Sequence, residues 1–262
     1  KTKLILPVNI LGNPSKLNEL KKLADKHRIY LMEDNCESFG ATIKNKKTGT
    51  FGIVNTLSFY YSHHISTIEG GAVLTNNSEL YDILLSLRSH GWARDSKIKK
   101  KNQKEIYKFL YPGFNVRPTE FTGAIGQEQI LKVNNFIKIR QKNFDIYQTL
   151  FFNHKLFKIK KENGKSSSFS FIFILRNEFK NLKKKLFNKL KINNIQYRLI
   201  TGGSFIKHPS RKYFKYKVYK NLKNSNYIHD NGFFIGNTAK NLKINLIYFK
   251  KIINEFIITN NL

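Results

Sequence analysis

The stretch RIYLMEDNCESFGA (residues 28–41) indicates the fold class of this chain. Its first half, RIYLMED (Arg28–Asp34), has the branched and aromatic content of a short strand and ends in two acids. A helical pattern precedes it, from a predicted N-cap at Ser15 to about His27. Before that helix, KLILPVNI (residues 3–10) has the pattern of a buried strand. Strands that alternate with a helix in this way predict an α/β fold with a mostly parallel sheet.

The same alternation continues after residue 41. The segments TLSFYYS (residues 56–62) and GGAVLTN (residues 70–76) predict two further strands, and a helix is expected from about Ser78 to Ser89. Pro118 then begins a long helical pattern. These elements belong to the same α/β unit, which we expect to extend to about residue 150.

The C-terminal part of the chain has a different pattern. It contains the strand-like segments SSSFSFIFIL and IQYRLI, a helix from about Glu178, and a final helix after Ala239. These elements predict a smaller α+β unit. We therefore expect two domains, residues 1–150 and residues 151–262.

The charge of the chain is strongly positive, with 47 Lys and Arg residues against 17 Asp and Glu residues and a formal net charge of +30. Such a charge is found in proteins that bind nucleic acids or membrane surfaces. Here the lysines are spread along the chain, and no homeodomain, zinc-finger or RRM pattern accompanies them. We favour a compositional surplus of surface lysine and expect neither a nucleic-acid nor a membrane partner, while a nucleic-acid-binding protein stays an alternative.

Cys36 is the only cysteine, which excludes an intramolecular disulfide framework and a metal site built from several cysteines. No apolar run is long enough to span a bilayer. The first residues, KTKLILPVNILGNP, make a poor signal peptide because their apolar part is short and no small-residue cleavage site follows. A cytoplasmic location is the expectation.

Asp34 and the two histidines, His63 and His64, lie just past the ends of predicted strands. Ligands of parallel α/β sheets bind at the carboxyl ends of the strands, so these side chains could converge on one site. Each of them also has an ordinary structural explanation. Asp34 could form an Asx turn at the strand end, and of the two histidines one could be buried and the other solvated. A zinc site is poorly supported, because adjacent histidines do not give the usual spacing of ligands.

The segment NVRPTE adds Asn115 and Arg117 just before the long helix. An arginine at such a place is more often a solvated or structural charge than a ligand. Taken singly, each of these motifs is therefore weak evidence for a site.

Taken together and in order, the motifs resemble the DegT/StrS family of nucleotide-sugar aminotransferases, which are pyridoxal-phosphate enzymes of fold type I. The resemblance covers nearly the whole chain and is weakest in residues 150–195. It rests on VNILGNP, EDNCESFGA, GTFG, SFYYSHHISTIEGGAVLT, SLRSHGWARD, GFNVRPTEFTGAIGQEQ and NGFFIGN. The aspartate aminotransferase-like fold that it implies has a mostly parallel sheet with helices on both faces and a smaller C-terminal α+β domain.

One departure from the family pattern concerns its cofactor lysine. Aminotransferases of the family have a lysine five residues after the serine of the SF strand. Here His63 stands at that place, and no lysine occurs from Ser58 to Gly71. The chain in this respect resembles the sugar 3-dehydratases of the family, and Glu37, where aminotransferases usually have Gln or His, matches them too.

The resemblance implies a reaction. Glutamate would convert pyridoxal 5′-phosphate to pyridoxamine 5′-phosphate, which would then act on a nucleotide-linked 4-keto-6-deoxyhexose and remove its C3 hydroxyl. A GDP-linked sugar of the mannose type is the expected substrate, in the synthesis of deoxysugars for the O-antigen of lipopolysaccharide. An imidazole forms no lasting bond to the cofactor aldehyde but, with a pKa near ~6.5, is a suitable general base at neutral pH.

The resemblance also implies roles for single residues. His63 would be the catalytic base, Asp34 would face the pyridine nitrogen, Glu37 the ring hydroxyl, and Ser58 the cofactor phosphate. Asn115 would reach the phosphate held by a partner subunit, because family members are homodimers with shared sites. Two substrate contacts are also implied: Arg117 near the nucleotide phosphates, and His64, for which packing is the alternative.

Two further expectations follow from the resemblance. A related dehydratase subgroup binds an iron–sulfur cluster through several cysteines, so a chain with Cys36 alone is expected to hold no iron–sulfur cluster. Family chains begin upstream of the strand at residues 3–10, and the small-residue loop for the cofactor phosphate and the ring-stacking aromatic normally lie there. No such loop is found here, so a truncated or non-catalytic subunit of the family stays a second alternative.

Overall fold

The computed structural model describes residues 1–94, 107–200 and 202–262. The chain divides into two compact units, one of residues 1–137 with 162–167 and the other of residues 138–161 with 168–262. Residues 138–150, which the sequence analysis grouped with the first domain, therefore pack in the second unit. They lie in a long helix whose apolar pattern is continuous, and such a pattern does not indicate which core each turn contacts. The domain limits stay a prediction.

The first unit contains six strands and three helices among its described residues. The strands are β1 (Leu4–Ile5), β2 (Tyr30–Asp34), β3 (Thr42–Ile43), β4 (Lys46–Lys47), β5 (Val54–Ser58) and β6 (Gly71–Leu74). The α-helices are α1 (Leu17–His27), α2 (Ser78–Arg88) and the first part of α3 (Glu120–Phe151), and a 3₁₀ turn covers Ile10–Gly12.

Four strands of this unit form a sheet in the order β1-β2-β5-β6. The pairs β1–β2 and β2–β5 are parallel, and β5–β6 is antiparallel. Helix α1 packs on one side of the sheet, where Leu17 and Ala24 meet Leu31 of β2. The predicted α/β architecture is confirmed, with one antiparallel strand at the edge.

The expectation of a buried strand over residues 3–10 was wrong. Only Leu4–Ile5 is a strand, and Leu4 and Leu6 are both exposed. Pro7 lacks the N–H that a longer ladder needs. The apolar residues that suggested burial lie on a face of the sheet that the described residues leave uncovered. The predicted N-cap is also corrected, because Lys16 is the N-cap of α1 and the Ser15 hydroxyl donates to the Val8 carbonyl instead.

The second unit contains an antiparallel sheet in the order β7-β8-β10-β9. Its strands are β7 (Phe157–Ile159), β8 (Ser170–Leu175), β9 (Arg198–Leu199) and β10 (Gly232–Gly236). Besides the end of α3, its helices are α4 (Lys183–Ile192), α5 (Lys223–Asn231) and α6 (Lys243–Thr259). The helix predicted from Glu178 therefore begins later, after a 3₁₀ segment over Asn177–Leu182.

An aromatic core fills the second unit. Tyr147 and Phe151 from α3 meet Phe173 of β8, and Phe249 of α6 lies against Phe151 and Phe173. All four side chains are almost completely buried. Among the described residues, no helix is both long enough and apolar enough to cross a membrane.

Candidate active site

Asp34 and Ser58 end the two central strands of the first sheet. Asp34 pairs in register with Thr56, and Ser58 lies two residues further along β5. Side chains alternate between the faces of a strand, so Asp34, Thr56 and Ser58 lie on the same face. The carboxyl ends of β2 and β5 thus place the Asp34 carboxylate and the Ser58 hydroxyl on one face of the sheet.

The carboxylate of Asp34 is fixed through one of its oxygens. Its Oδ1 accepts from the backbone N–H of Cys36 at 3.1 Å and from the hydroxyl of Thr56 at 3.4 Å. The Cys36 thiol lies 3.6 Å from the same hydroxyl oxygen. Burial, together with the hydrogen bond to Asp34, raises the pKa of the Cys36 thiol to about 11. This thiol is therefore protonated at neutral pH and makes a poor nucleophile.

Glu37 lies in the loop that follows β2. One of its carboxylate oxygens accepts from the backbone N–H of Leu11 at 2.7 Å. Burial raises the pKa of Glu37, the Leu11 bond opposes that change, and the charge of Asp34 raises it further. The charge of Asp34 thus disfavours a second negative charge on Glu37.

His63 lies in a turn directly after β5. Its backbone N–H donates to the Tyr60 carbonyl at 2.9 Å, and its ring meets the edge of Tyr60 at a centroid distance of 5.8 Å. The N–H of Tyr60 donates to the Ser58 hydroxyl oxygen at 3.2 Å. This turn therefore holds His63 close in sequence and in space to the end of β5.

His64 occupies a different environment from its neighbour. It is 2% exposed, and its Nε2 lies 3.1 Å from the carbonyl oxygen of Ser167. Ile65, which follows it, belongs to a small apolar cluster with Val133 and Ile137. This burial agrees with a packing role for His64. The substrate contact that the resemblance implied for His64 stays a prediction.

Asn115 and Arg117 lie on a separate segment. Asn115 forms an isolated bridge with Ser89, and the N–H of Val116 donates to the carbonyl of Arg88, both at the end of α2. The side chains of Asn115 and Arg117 are exposed. In the described part of the chain, no hydrogen bond joins either of them to Asp34 or Ser58.

The sequence analysis missed a buried polar network beside the site. Glu33 is completely buried and accepts from the N–H groups of Gly49, Phe51 and Gly52 at 2.8, 2.7 and 3.1 Å. It also accepts from the Asn9 amide at 3.2 Å. These bonds hold the GTFG loop against the strand that carries the site.

Two signals in the sequence point to this network. Glu33 is an acid directly after the apolar residues Leu31 and Met32 of β2, and such a residue requires partners when it is buried. Gly49 has φ +79°, a conformation that glycine adopts at low cost, which explains the glycine at the start of the loop.

Across residues 1–94, 107–200 and 202–262, no group of three or more His, Cys, Asp or Glu side chains is arranged to hold a metal ion.

Residues 1–240 match the DegT/DnrJ/EryC1/StrS aminotransferase family. The chain belongs to this family. The match covers the whole first unit and most of the second, which agrees with the resemblance based on the sequence motifs.

Two curated members of the family are similar over nearly the whole chain. GDP-4-keto-6-deoxy-D-mannose 3-dehydratase of Escherichia coli O55:H7 is 42% identical over 263 residues, which covers 96% of this chain and 67% of that protein. The protein of the same name from Yersinia pseudotuberculosis is 42% identical over 246 residues, which covers 90% of this chain and 63% of its own length. The chain thus spans about two thirds of the length of these relatives.

Solved structures of GDP-4-keto-6-deoxymannose 3-dehydratase have the same fold. The structure with bound hydrated PLP is 42% identical, with a TM-score of 0.92 over 96% of this chain and 67% of that one. A second structure, with a trapped PLP–glutamate geminal diamine, has the same identity, TM-score and coverage. A third, 41% identical with a TM-score of 0.92 over 96% and 68% of the two chains, carries a serine-to-asparagine and a histidine-to-lysine change at consecutive positions.

Proposed function

We propose that this protein is a 3-dehydratase of a GDP-linked 4-keto-6-deoxy-D-mannose, dependent on pyridoxal or pyridoxamine 5′-phosphate, with L-glutamate as amino donor. The observation that carries the proposal is His63 at the position of the family lysine, in a turn bonded to Ser58. The 42% identity to two dehydratases of this name supports it. A lyase of deoxysugar synthesis is thus favoured over a transaminase.

The side chains at the ends of β2 and β5 fit the cofactor. Asp34 uses Oδ1 for its two internal bonds, and its Oδ2 accepts none from the described residues, so that oxygen is able to accept from a protonated pyridine nitrogen. Ser58 accepts from Tyr60 through its oxygen, which leaves the hydroxyl proton to donate to a phosphate. Glu37 lies one turn after Asp34, where a ring hydroxyl would be within reach.

When bound, the cofactor supplies an electron-withdrawing ring that stabilises negative charge on the carbon from which a proton leaves. Asp34 keeps the ring nitrogen protonated and so preserves this property. His63 removes the proton at C4′, and it leaves the cofactor untethered because imidazole forms no lasting bond to an aldehyde. The turn from Ser58 to His63 holds the base beside the phosphate anchor.

The solved structure with two consecutive substitutions supports the assignment of His63. That variant is altered at a serine and at the histidine directly after it. This chain has two Ser-His pairs, Ser62–His63 and Ser89–His90, and only the first follows the strand that carries Ser58. His64 follows a histidine and is buried against Ser167, so we assign it to packing.

The remaining roles complete the proposal. Asn115 reaches the cofactor phosphate of a second subunit in a homodimer with shared sites. Arg117 contacts the nucleotide phosphates of the substrate. The protein acts in the cytoplasm, where the sugar nucleotides for lipopolysaccharide are made.

Conversion of the substrate tests the function. Purified protein is incubated with GDP-4-keto-6-deoxy-D-mannose, L-glutamate and pyridoxal phosphate, alone and together with the part of the E. coli dehydratase that this chain does not match. We expect release of a 4-keto-3,6-dideoxy sugar and ammonia, and no reaction without glutamate. A 4-amino sugar as the product, or no reaction under both conditions, would contradict the proposal.

Cofactor absorbance distinguishes the dehydratase from the second candidate function, a non-catalytic subunit of the family. A dehydratase loses the aldehyde absorbance on addition of glutamate and gains that of the amine form. A subunit that keeps the fold alone changes neither. Salt-dependent binding to arbitrary DNA would favour the nucleic-acid alternative instead.

A further inference from the structure

Helix α5 and the segment that leads into α4 (residues 177–183) form the two walls of a polar groove in the second unit. The groove has a volume of about 640 Å³, which is in the range of small-molecule sites. Nine residues line it: three lysines, four asparagines, one tyrosine and one aspartate. This lining offers charge and hydrogen bonds but very little apolar surface, so it suits a polar ligand.

The charges of the groove favour an anion. Lys180 and Lys223 are exposed, and neither forms an ion pair in the described part of the chain. The one acid of the lining, Asp230, is already paired, because the Lys207 ammonium donates to both of its carboxylate oxygens at 2.6 and 2.7 Å. The three lysines and the aspartate give the lining a net charge of +2. A phosphate monoester, with a charge of about −1.5 to −2 at neutral pH, complements this charge.

Lys183 joins the two walls of the groove. Its ammonium donates to the backbone carbonyl of Asp230 on α5. Burial lowers the pKa of Lys183, and the charge of Asp230 opposes this change. A partly buried ammonium whose hydrogen-bond acceptor is a neutral carbonyl is stabilised when an anion lies beside it. The positions of the charges therefore place a phosphate next to the lysines.

The asparagines favour a ligand that also has hydroxyl groups. The Oδ1 of Asn226 is buried, and none of the described residues donates a hydrogen bond to it. Buried acceptors are nearly always hydrogen-bonded, so a donor from a ligand would satisfy this oxygen. Asn177 and Asn181 are exposed on the opposite wall. Carboxamides donate and accept hydrogen bonds, which matches the hydroxyl groups of a sugar.

The tyrosine of the groove does not provide a stacking site for a nucleobase. The hydroxyl of Tyr227 donates to the Leu175 carbonyl at 2.9 Å, and the Lys158 ammonium lies 5.3 Å from the centre of its ring. Among the described residues that line the groove, no other is aromatic. A base would thus have no second ring to stack on, which favours a sugar phosphate over a nucleotide.

We propose that this groove binds a sugar phosphate, with the phosphate held by Lys180, Lys183 and Lys223 and the sugar hydroxyl groups held by the asparagines. All the residues that carry the proposal belong to the second unit. The proposal does not depend on the dehydratase activity, because none of the residues assigned to the cofactor or to catalysis lines the groove.

Calorimetric titration of the whole chain with glucose 1-phosphate measures the binding, in the absence of pyridoxal phosphate and of any nucleotide sugar. We expect one site per chain and an affinity that falls as the salt concentration rises. Inorganic phosphate has no sugar hydroxyl groups and should bind about tenfold more weakly. Glucose, which has no phosphate, should show no measurable binding.

Two double variants distinguish the groove from the general positive charge of the chain. Lys180→Gln with Lys223→Gln removes two charges from the lining and should weaken binding by about tenfold or more. Lys184→Gln with Lys185→Gln is the matched control, because both lysines are exposed and lie in α4 but do not line the groove. The control should bind glucose 1-phosphate nearly as the unmodified chain does. Circular dichroism checks that both variants keep the fold.

Asn226→Ala tests the contact with the sugar. It removes a buried acceptor that has no donor among the described residues, so the chain should tolerate the change. The variant should bind glucose 1-phosphate more weakly than the unmodified chain does. Its affinity for inorganic phosphate should be unchanged.

Four results would overturn the proposal. The first is that glucose 1-phosphate does not bind at millimolar concentration. The second is that both double variants weaken binding equally, which would indicate nonspecific attraction to surface lysines. The third is that inorganic phosphate binds as tightly as glucose 1-phosphate, which would indicate an anion site that does not recognise a sugar. The fourth is that GMP binds more tightly than glucose 1-phosphate in a way that depends on Lys180 and Lys223, which would indicate a nucleotide.

Discussion

The central strands of the two sheets, β2 in the first unit and β8 in the second, have opposite burial. Five of the six residues of β8 are buried, while β2 buries only the residues on one side. Antiparallel sheets commonly leave one face in water, and parallel sheets do not. In this protein, nevertheless, it is the antiparallel sheet whose central strand β8 is buried on both faces. The comparison shows that β8 lies inside the core of the second unit, whereas β2 has one face that the described residues leave exposed or half-buried.

The largest effect expected from this comparison is on the core of the second unit. Phe173 is completely buried and contacts the rings of Tyr147, Phe151 and Phe249. Phe173→Ala should lower the free energy of unfolding by about 3–5 kcal/mol, since it leaves a cavity. Urea unfolding followed by circular dichroism measures it. Tyr30→Ala replaces an exposed aromatic residue of β2 in the first unit and is the variant for comparison. It should change the free energy of unfolding by less than about 0.5 kcal/mol. Equal losses for the two variants would remove the distinction between the units.

A smaller loss is expected at the buried carboxylate of the first unit. Glu33→Gln replaces one carboxylate oxygen by an NH₂ group that faces two N–H donors, whichever way the amide turns. Hydrogen bonds to a charged group contribute about 1.5–3 kcal/mol, so we expect a loss of about 3 kcal/mol. Glu128→Gln, on the surface and paired with Lys132, is the control and should change little. If both variants unfold at the same urea concentration, Glu33 does not hold the GTFG loop.

The pH dependence of the second unit should be the mildest of these effects. Burial, with smaller contributions from the charges of Lys250 and Arg176, lowers the pKa of His154 from 6.5 to about 4. The ring is then neutral in the folded state, where its Nδ1 accepts from the N–H of Leu156. The unfolded chain binds the proton more readily, so this stability is present above pH 6.5 and is lost as the pH falls towards 4.

Denaturation at pH 7 and pH 5 measures the contribution of His154. The unmodified chain should lose about 1–2 kcal/mol more between these two values than His154→Asn does. Asparagine offers an oxygen acceptor near the position of Nδ1 and does not titrate. An identical loss in both proteins would show that His154 is not the group responsible.

The sequence predicted the parts of the fold that depend on local pattern. The α/β order and the polar residues at the ends of β2 and β5 follow from residues close together in the chain. The exposed face of the first sheet could not be predicted from the sequence. In KLILPVNI, residues on both sides of the strand are apolar, so only the neighbouring elements decide which side is covered. The change of unit within helix α3 could not be predicted either. Its apolar pattern is continuous, although residues up to Ile137 belong to the first unit and residues from Lys138 belong to the second.

The candidate site was named from the sequence as single residues, and their roles stay predictions. Asp34 and Ser58 end strands, His63 follows one, and the family motifs were the basis for naming all three. Glu33 was missed because an acid in a strand could equally face solvent, and its partners in the GTFG loop are 16 to 19 residues away. The different environments of His63 and His64 also needed the structure, since adjacent residues in a turn have no periodic pattern.

The catalytic assignment within this pair can be tested by single-turnover dehydration with preformed pyridoxamine phosphate. His63→Asn should keep cofactor binding through Asp34 and Ser58, but lose about 10²–10⁴-fold in rate, because asparagine is not a base at neutral pH. His64→Asn should lose far less. An inactive His64→Asn beside an active His63→Asn would mean that the two histidines have the opposite roles.

Attachment of the cofactor tests the central claim, that the site works without a lysine. The protein is incubated with pyridoxal phosphate, reduced with borohydride, digested and analysed by mass spectrometry, alongside His63→Lys. We predict no modified residue between Ser58 and Gly71 in the unmodified protein and a modified lysine at position 63 in the variant. A cofactor adduct on a native lysine of the site, or none at position 63 in a variant that still binds the cofactor, would contradict the account.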